Sequence, residues 1–159
     1  DEGIIVYNLE VEDFNSYFVG PLGVLVHNYK GTDIVDDVIE GTVESIDTPY
    51  GPAIQSTSKE AQQLRKYVDN GGELYRGGTF GRSNVNDAQF WAPENPLNPG
   101  YADKYGVDFS KMDYVIGGKQ IPGSPYITRP APGLGNNVGG GLEIVNNPNS
   151  VRLNFFHMP

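Results

Sequence analysis

Short stretches in which apolar residues alternate with polar ones, many of them β-branched or aromatic, recur along most of this chain. Such a pattern is typical of strands joined by turns. Near the start it predicts strands over residues 4–11, 16–19 and 22–26, the last two separated by Gly20-Pro21. From residue 73 onwards, turn residues separate six further strand patterns: 74–76, 88–91, 114–116, 126–128, 142–145 and 151–156.

Two segments depart from this pattern and predict helices. Thr57 and Glu60 have the spacing of a capping box, in which the Thr57 hydroxyl accepts the Glu60 N–H and the Glu60 carboxylate accepts that of Thr57. Gly71-Gly72 ends the pattern, so a helix is predicted over 58–70. Its apolar residues share one face: Ala61, Leu64 and Val68. A short second helix is expected over 100–105, and the fold class is α+β with mainly antiparallel strands.

The composition narrows the classes of function. The 159 residues include no cysteine and two histidines, so we expect neither disulfides nor a metal site. The net charge of -9 arises from the first 50 residues, which contain eleven acidic residues and one lysine. Basic residues in the remainder are scattered, whereas nucleic-acid binding needs clustered basic charge, so no nucleic-acid partner is expected. No stretch approaches the roughly 20 apolar residues of a membrane span, and no signal peptide opens the chain, so export is expected within a larger polypeptide.

The first candidate for chemistry is the pair His27 and Asn28, which ends an apolar strand pattern. An asparagine amide nitrogen can attack its own backbone carbonyl and release the downstream chain, and a preceding histidine can polarise that carbonyl or protonate the leaving amine. With the strands before it, this junction resembles the end of a HINT (intein-like) domain, as found upstream of toxin modules in bacterial polymorphic toxins. The missing cysteine nucleophile and Tyr29, which cannot act as a splicing acceptor, imply a remnant over 1–28 that cleaves poorly. An ordinary hairpin ending in His-Asn is the alternative.

Residues 29–56 are expected to form an acidic linker and residues 57–159 a catalytic domain, in which two blocks suggest chemistry. In the first, Arg76 stands on a strand before Gly77 and Gly78, which suits a diphosphate or other dianion because glycine backbone permits close approach. In the second, a glycine loop over 138–141 delivers Glu143 onto an apolar strand, where burial is unfavourable without a partner or substrate. For the first block, the alternative is an ordinary turn after a strand. For the second, it is a glutamate at a strand edge that faces solvent.

With the segment Phe90-Trp91-Ala92-Pro93 and Tyr101 between them, the two blocks resemble the ADP-ribosyltransferase toxins. In that family a strand arginine holds NAD, an aromatic segment shapes the nicotinamide pocket, and a late glutamate drives the chemistry on a small split β-sheet core. The closing run, residues 139–159, is similar to the ends of Rhs-type antibacterial toxins, nearest to the group that ADP-ribosylates elongation factor Tu. The resemblance covers residues 73–159.

The resemblance implies roles for individual residues. Arg76, with Gly77 and Gly78 beside it, would bind the NAD phosphates or adjoining ribose. Glu143 would hydrogen-bond the ribose 2′-hydroxyl and favour an oxocarbenium-like state. Three aromatic residues would line the nicotinamide pocket: Phe90, Trp91 and Tyr101. Tyr101 and Tyr105 share a helix face, and core packing is the alternative reading for one or both. Arg129 is a further anion-binding candidate, although a surface position is the favoured reading.

We therefore expect a secreted toxin that acts in the target-cell cytoplasm. It would use NAD as substrate, without a metal, to modify a target-cell protein such as elongation factor Tu and block translation, and its producer would need a cognate immunity protein. Gly141 stands where arginine-modifying members carry Gln or Glu, which argues against arginine as the acceptor. The chain also departs from the family pattern in having no Ser-Thr-Ser triplet after the middle strand. An NAD glycohydrolase is one alternative. A metal-independent ribonuclease is the other, with His157 as its sole histidine outside the junction.

Overall fold

The computed structural model describes residues 16–19, 24–27, 44–85, 87–108 and 112–159, the first two segments as backbone. The chain divides into two compact units, Asp1–Asp37 and Val38–Pro159. In the first unit, β1 (Ser16–Val19) and β2 (Val24–His27) form an antiparallel hairpin with Ser16 opposite His27. The two strands predicted around Gly20-Pro21 are therefore confirmed, whereas the strand predicted over 4–11 and the junction residue Asn28 lie outside the described residues.

The first element in the described part of the second unit is a small hairpin that was not predicted. Strands β3 (Ser45–Ile46) and β4 (Ala53–Ile54) pair antiparallel, and their buried residues Ile46 and Ala53 pack in one cluster with Ile127 and Val145. Residues 44–56 are thus part of the folded unit, which begins before the expected boundary at residue 57. These residues fold with the domain because the apolar side chains of Ile46 and Ala53 complete a core shared with the distant residues Ile127 and Val145.

Helix α1 (Lys59–Asp69) begins one residue later than the capping box predicted. Ser58, and not Thr57, is the N-cap: its backbone is extended, and its hydroxyl oxygen accepts the Ala61 N–H at 3.1 Å. The predicted apolar face is confirmed, because Ala61, Leu64 and Val68 are buried. The helix ends at Asp69, before the predicted Gly71-Gly72 stop.

Six strands of the second unit form two three-stranded antiparallel sheets. The first sheet has the order β10-β7-β5, from β5 (Glu73–Gly78), β7 (Tyr114–Gln120) and β10 (Val151–His157). The second has the order β6-β9-β8, from β6 (Phe90–Trp91), β8 (Tyr126–Pro130) and β9 (Leu142–Asn146). The six strands predicted beyond residue 73 are all present, as is the short helix α2 (Tyr101–Tyr105).

The backbones of the two sheets are hydrogen-bonded to each other at one point, between β5 and the residue that follows β6. Tyr75 and Ala92 form a single bridge in which each N–H donates to the other carbonyl, at 2.7 and 2.9 Å. Because pairing between these strands is confined to this bridge, the core is split beside Arg76, the next residue of β5. The α+β class with a split, mainly antiparallel core is therefore confirmed.

One cluster of buried side chains combines α1 with both sheets: Leu64, Val68, Leu74, Ala88, Trp91, Tyr114, Ile116, Tyr126 and Ile144. Each fully buried large apolar side chain of this kind contributes about 1.5–3 kcal/mol by removal from water. Neither helix in the described part of the chain is long and apolar enough to cross a membrane.

Candidate functional site

A cavity of about 450 Å³ lies where β5 and β6 separate, within the range of small-molecule sites. It brings together five of the six residues predicted from sequence for NAD binding, and also the predicted catalytic carboxylate: Arg76, Gly77, Phe90, Trp91, Tyr101 and Glu143. Its other walls come from α2, the end of β8 and the loop between β8 and β9. Strands from both sheets thus supply the charged groups of one site.

Arg76 supplies a positive charge that no described carboxylate neutralises by an ion pair. Its Nη1 donates to the Phe90 carbonyl at a long 3.4 Å, and its Nε is buried without any hydrogen-bond partner. Burial lowers the pKa of this guanidinium below its usual range. A half-buried cation with an unpaired donor beside a cavity favours an anionic ligand, because the acceptor atoms of such a ligand would pair with that donor and balance the charge.

Glu143 supplies the negative charge and is 6% exposed. Antiparallel register places it opposite Arg129, whose Nε donates to Glu143 Oε1 at 2.9 Å. Burial raises the pKa of the Glu143 carboxyl, and the ion pair with Arg129 lowers it only in part, so the pKa stays above its usual range. The expectation of a carboxylate on an apolar strand is confirmed, and Arg129, favoured as a surface residue, lines the cavity with 22% of its side chain exposed.

The glycine loop that precedes Glu143 is docked onto α2. The N–H of Gly139 donates to the Asp103 carbonyl and that of Gly141 to the Lys104 carbonyl, both at 2.8 Å. A side chain at position 141 would have no room, because its Cβ would lie 2.6 Å from Lys104 Cγ. This docking fixes the entry of β9 and hence the place where Glu143 enters the cavity.

Aromatic side chains form much of the cavity wall. Trp91 is 2% exposed, and its Nε1 donates to the Ala88 carbonyl at 2.9 Å, so the indole is held in place. Phe90 is half-buried and contacts Tyr50, which also lines the cavity, at a ring distance of 6.1 Å. The strand-edge position of Phe90 leaves part of its ring open to a ligand.

Tyr101 and Tyr105 both face the cavity from α2, with ring centroids 4.5 Å apart. Burial raises the pKa of both phenols, so both are neutral at physiological pH. Glu94 holds this helix end through an ion pair with Lys104. Both tyrosines are buried and line the cavity, so each side chain packs in the core and also forms part of the cavity wall.

Three residues named from sequence lie elsewhere. Gly78 does not line the cavity: a Cβ there would lie 2.3 Å from the Tyr114 ring, so this glycine serves packing. His157 lies at the end of β10, where its ring stacks with that of Phe155 at 6.4 Å, and it is absent from the cavity wall. His27 is the last residue of β2 in the other unit, and its partner Asn28 is not among the described residues.

Four residues that line the cavity were not predicted from the sequence: Tyr50 and the loop residues Pro132, Gly133 and Leu134. Nothing in their residue types signals a site, since a Tyr-Gly-Pro turn and a Pro-Gly loop are common surface connections. Among the described residues, no group of three or more side chains is arranged to hold a metal ion.

Comparison of the chain with protein-family models found no match, and neither the curated proteins nor the solved structures gave one.

Proposed function

We propose that the unit Val38–Pro159 is an NAD-dependent ADP-ribosyltransferase toxin. The observation that carries this proposal is the convergence of Arg76 and Glu143, 67 positions apart in sequence, on one aromatic-walled cavity. A dinucleotide offers the matching chemistry: a diphosphate for the guanidinium, a planar nicotinamide for the aromatic wall, and a ribose between them for the carboxylate.

The reaction needs a fixed negative charge beside the ribose. When the bond between ribose C1′ and the nicotinamide nitrogen breaks, nicotinamide leaves with the bonding electrons, and positive charge develops on the ribose. Glu143, held by Arg129 and desolvated, would accept the 2′-hydroxyl hydrogen bond and stabilise that charge more than the ground state. The acceptor side chain of the target protein then bonds to C1′ and loses its proton.

Hydrolysis of NAD to ADP-ribose and nicotinamide is a second candidate, supported by position 141. Arginine-modifying transferases carry Gln or Glu there to contact the acceptor, whereas Gly141 has no space for a side chain against Lys104. Water, or an acceptor other than arginine, would then attack C1′.

The wider biological role follows the same proposal. We infer that the toxin is delivered within a larger polypeptide and acts in the cytoplasm of a target bacterium on a protein such as elongation factor Tu. An immunity protein would protect the producer. The hairpin β1–β2 with His27 at its end is what a HINT remnant upstream of such a toxin would contain.

The experiment is incubation of the protein with adenylate-labelled NAD and a bacterial lysate. A labelled protein band is expected for a transferase, and free labelled ADP-ribose without a band for a hydrolase. Glu143→Ala should reduce either product by about 100-fold or more, as for removal of other groups that stabilise a transition state. Glu60→Ala, at an exposed position of α1, is the matched control and should leave turnover unchanged. Turnover by Glu143→Ala near that of the unmodified protein, or RNA degradation without NAD loss, would contradict the proposal.

A further inference from the structure

The ion pair between Arg129 and Glu143 uses one donor and one acceptor. Arg129 Nε donates to Glu143 Oε1 at 2.9 Å, and the two residues are direct cross-strand partners on β8 and β9. Among the described residues, no hydrogen bond is made to Glu143 Oε2, although the side chain is 8% exposed and lines the cavity. A bidentate pair would have occupied both carboxylate oxygens.

We propose that Arg129 is a positioning residue for Glu143: its single Nε bond keeps the carboxylate ionised and oriented while leaving Oε2 for the ligand. The inference rests on the proposed function of Glu143, and it assigns to Arg129 a role distinct from the anion-binding role of Arg76. Because the two strands are paired in register, the backbone sets the separation of the pair, and a ligand can enter without disturbing it.

The surroundings of Glu143 make such a partner necessary. Desolvation disfavours the charged carboxylate, and the other titratable groups that face it are the neutral phenols of Tyr101 and Tyr105 on α2. Arg76 on β5 lines the same cavity, but no ion pair joins it to Glu143. Arg129 is therefore the one described cation that directly holds the charge of Glu143.

The first test compares the pH dependence of NAD turnover in the unmodified protein and Arg129→Gln. We expect kcat to fall about 100-fold near pH 6, by analogy with small displacements of a reacting group, with KM changed by less than about threefold. The part of the deficit that is due to protonation of Glu143 should shrink as the pH rises, because a carboxyl without its cation needs a higher pH to ionise, whereas the part due to displacement should remain. Arg129→Lys, which keeps the charge but not the planar fork, should recover part of the activity.

Arg152→Gln is the matched control, since Arg152 is an exposed arginine on β10 outside the cavity. This variant should have the turnover and pH profile of the unmodified protein. A rise in KM with unchanged kcat in Arg129→Gln would make Arg129 a substrate-binding residue and overturn the proposal. A kcat deficit of equal size at every pH would overturn it too.

The second test does not depend on NAD. A carbon-13 NMR titration of the Glu143 carboxyl, assigned with Glu143→Gln, should show a higher pKa in Arg129→Gln than in the unmodified protein, and no change in Arg152→Gln. An unchanged pKa would overturn the positioning role even if NAD is turned over. If the unmodified protein is inert towards NAD, the proposed function fails, and this titration still decides whether Arg129 holds the charge of Glu143.

Discussion

Replacing Arg76 with methionine separates the stability of this protein from its function. The guanidinium is half-buried, makes one long hydrogen bond and leaves Nε without a partner, so in the ligand-free protein it is a desolvated charge with little compensation. Methionine retains most of the length of the aliphatic stem and removes the charge. We therefore expect Arg76→Met to stabilise the free protein while abolishing NAD binding.

The size of the effect follows from the contacts of Arg76. A buried donor without a partner destabilises the fold by about 1–3 kcal/mol. The guanidinium is partly exposed, and its removal also loses the hydrogen bond to the Phe90 carbonyl. The expected gain in the free energy of unfolding is therefore about 1 kcal/mol. For a domain of this size that gain raises Tm by roughly 3–6 °C. NAD at 100 times its Kd would stabilise the unmodified protein by about 2.7 kcal/mol and the variant far less, so the order of the two proteins should reverse.

Thermal unfolding with and without NAD, supported by calorimetric titration, measures both effects. Arg152→Met is the matched control, because its exposed side chain makes no cavity contact, and both of its Tm values should match the unmodified protein. A less stable Arg76→Met protein would show that the guanidinium is satisfied within the fold. An undiminished Tm rise on adding NAD would show that Arg76 does not hold the ligand.

Two further predictions concern the carboxylate and the loop that precedes it. A carboxyl whose pKa is raised by folding adds stability at low pH, and that stability is lost as the pH rises through the folded pKa. In urea unfolding, Glu143→Gln should therefore gain stability relative to the unmodified protein as the pH rises above the ordinary glutamate pKa of about 4. A pH-independent difference would contradict the burial argument. Gly139→Ala should cost about 2 kcal/mol or more, because φ is +77° and the added Cβ would lie 2.6 Å from the Ala131 carbonyl oxygen. Gly135→Ala, at φ +60° with open space around it, should cost about 1 kcal/mol, and equal losses would show that the loop packing is unimportant.

Local pattern predicted most of the fold. Runs of β-branched and aromatic residues bounded by glycine and proline mark β5 to β10, because a half-buried pleated surface selects those side chains locally. Local pattern failed where two neighbouring residues could serve as the helix cap, and where strands were too short to show a pattern. Thr57 and Ser58 both offer a capping hydroxyl, and the backbone conformation that selects Ser58 is set by where the chain enters the helix. The two-residue strands β3 and β4 have no periodicity to detect, and their burial depends on the distant residues Ile127 and Val145.

The site shows the same division between local and distant information. Arg76 and Glu143 were predicted from unusual residues in apolar or glycine-rich surroundings, a signal that the sequence contains. The pairing of Arg129 with Glu143 depends on register, and a slip of one residue between β8 and β9 would turn Arg129 to the opposite face of the sheet. Sequence reasoning could therefore name Arg129 as a candidate, but could not identify its partner.

The split between the sheets explains why the charged groups lie where they do. Continued pairing of β5 with β6 beyond the Tyr75–Ala92 bridge would have closed the space that Arg76 now lines. On the other side of β5, Gly77 and Gly78 still pair with β7, so the strand is held while its free edge borders the cavity. The protein thus gives up strand pairing and tolerates an unsatisfied guanidinium and a desolvated carboxylate at the same place. Local exceptions to good packing and charge pairing that coincide at one cavity are more economically explained by a ligand than by independent faults in the fold.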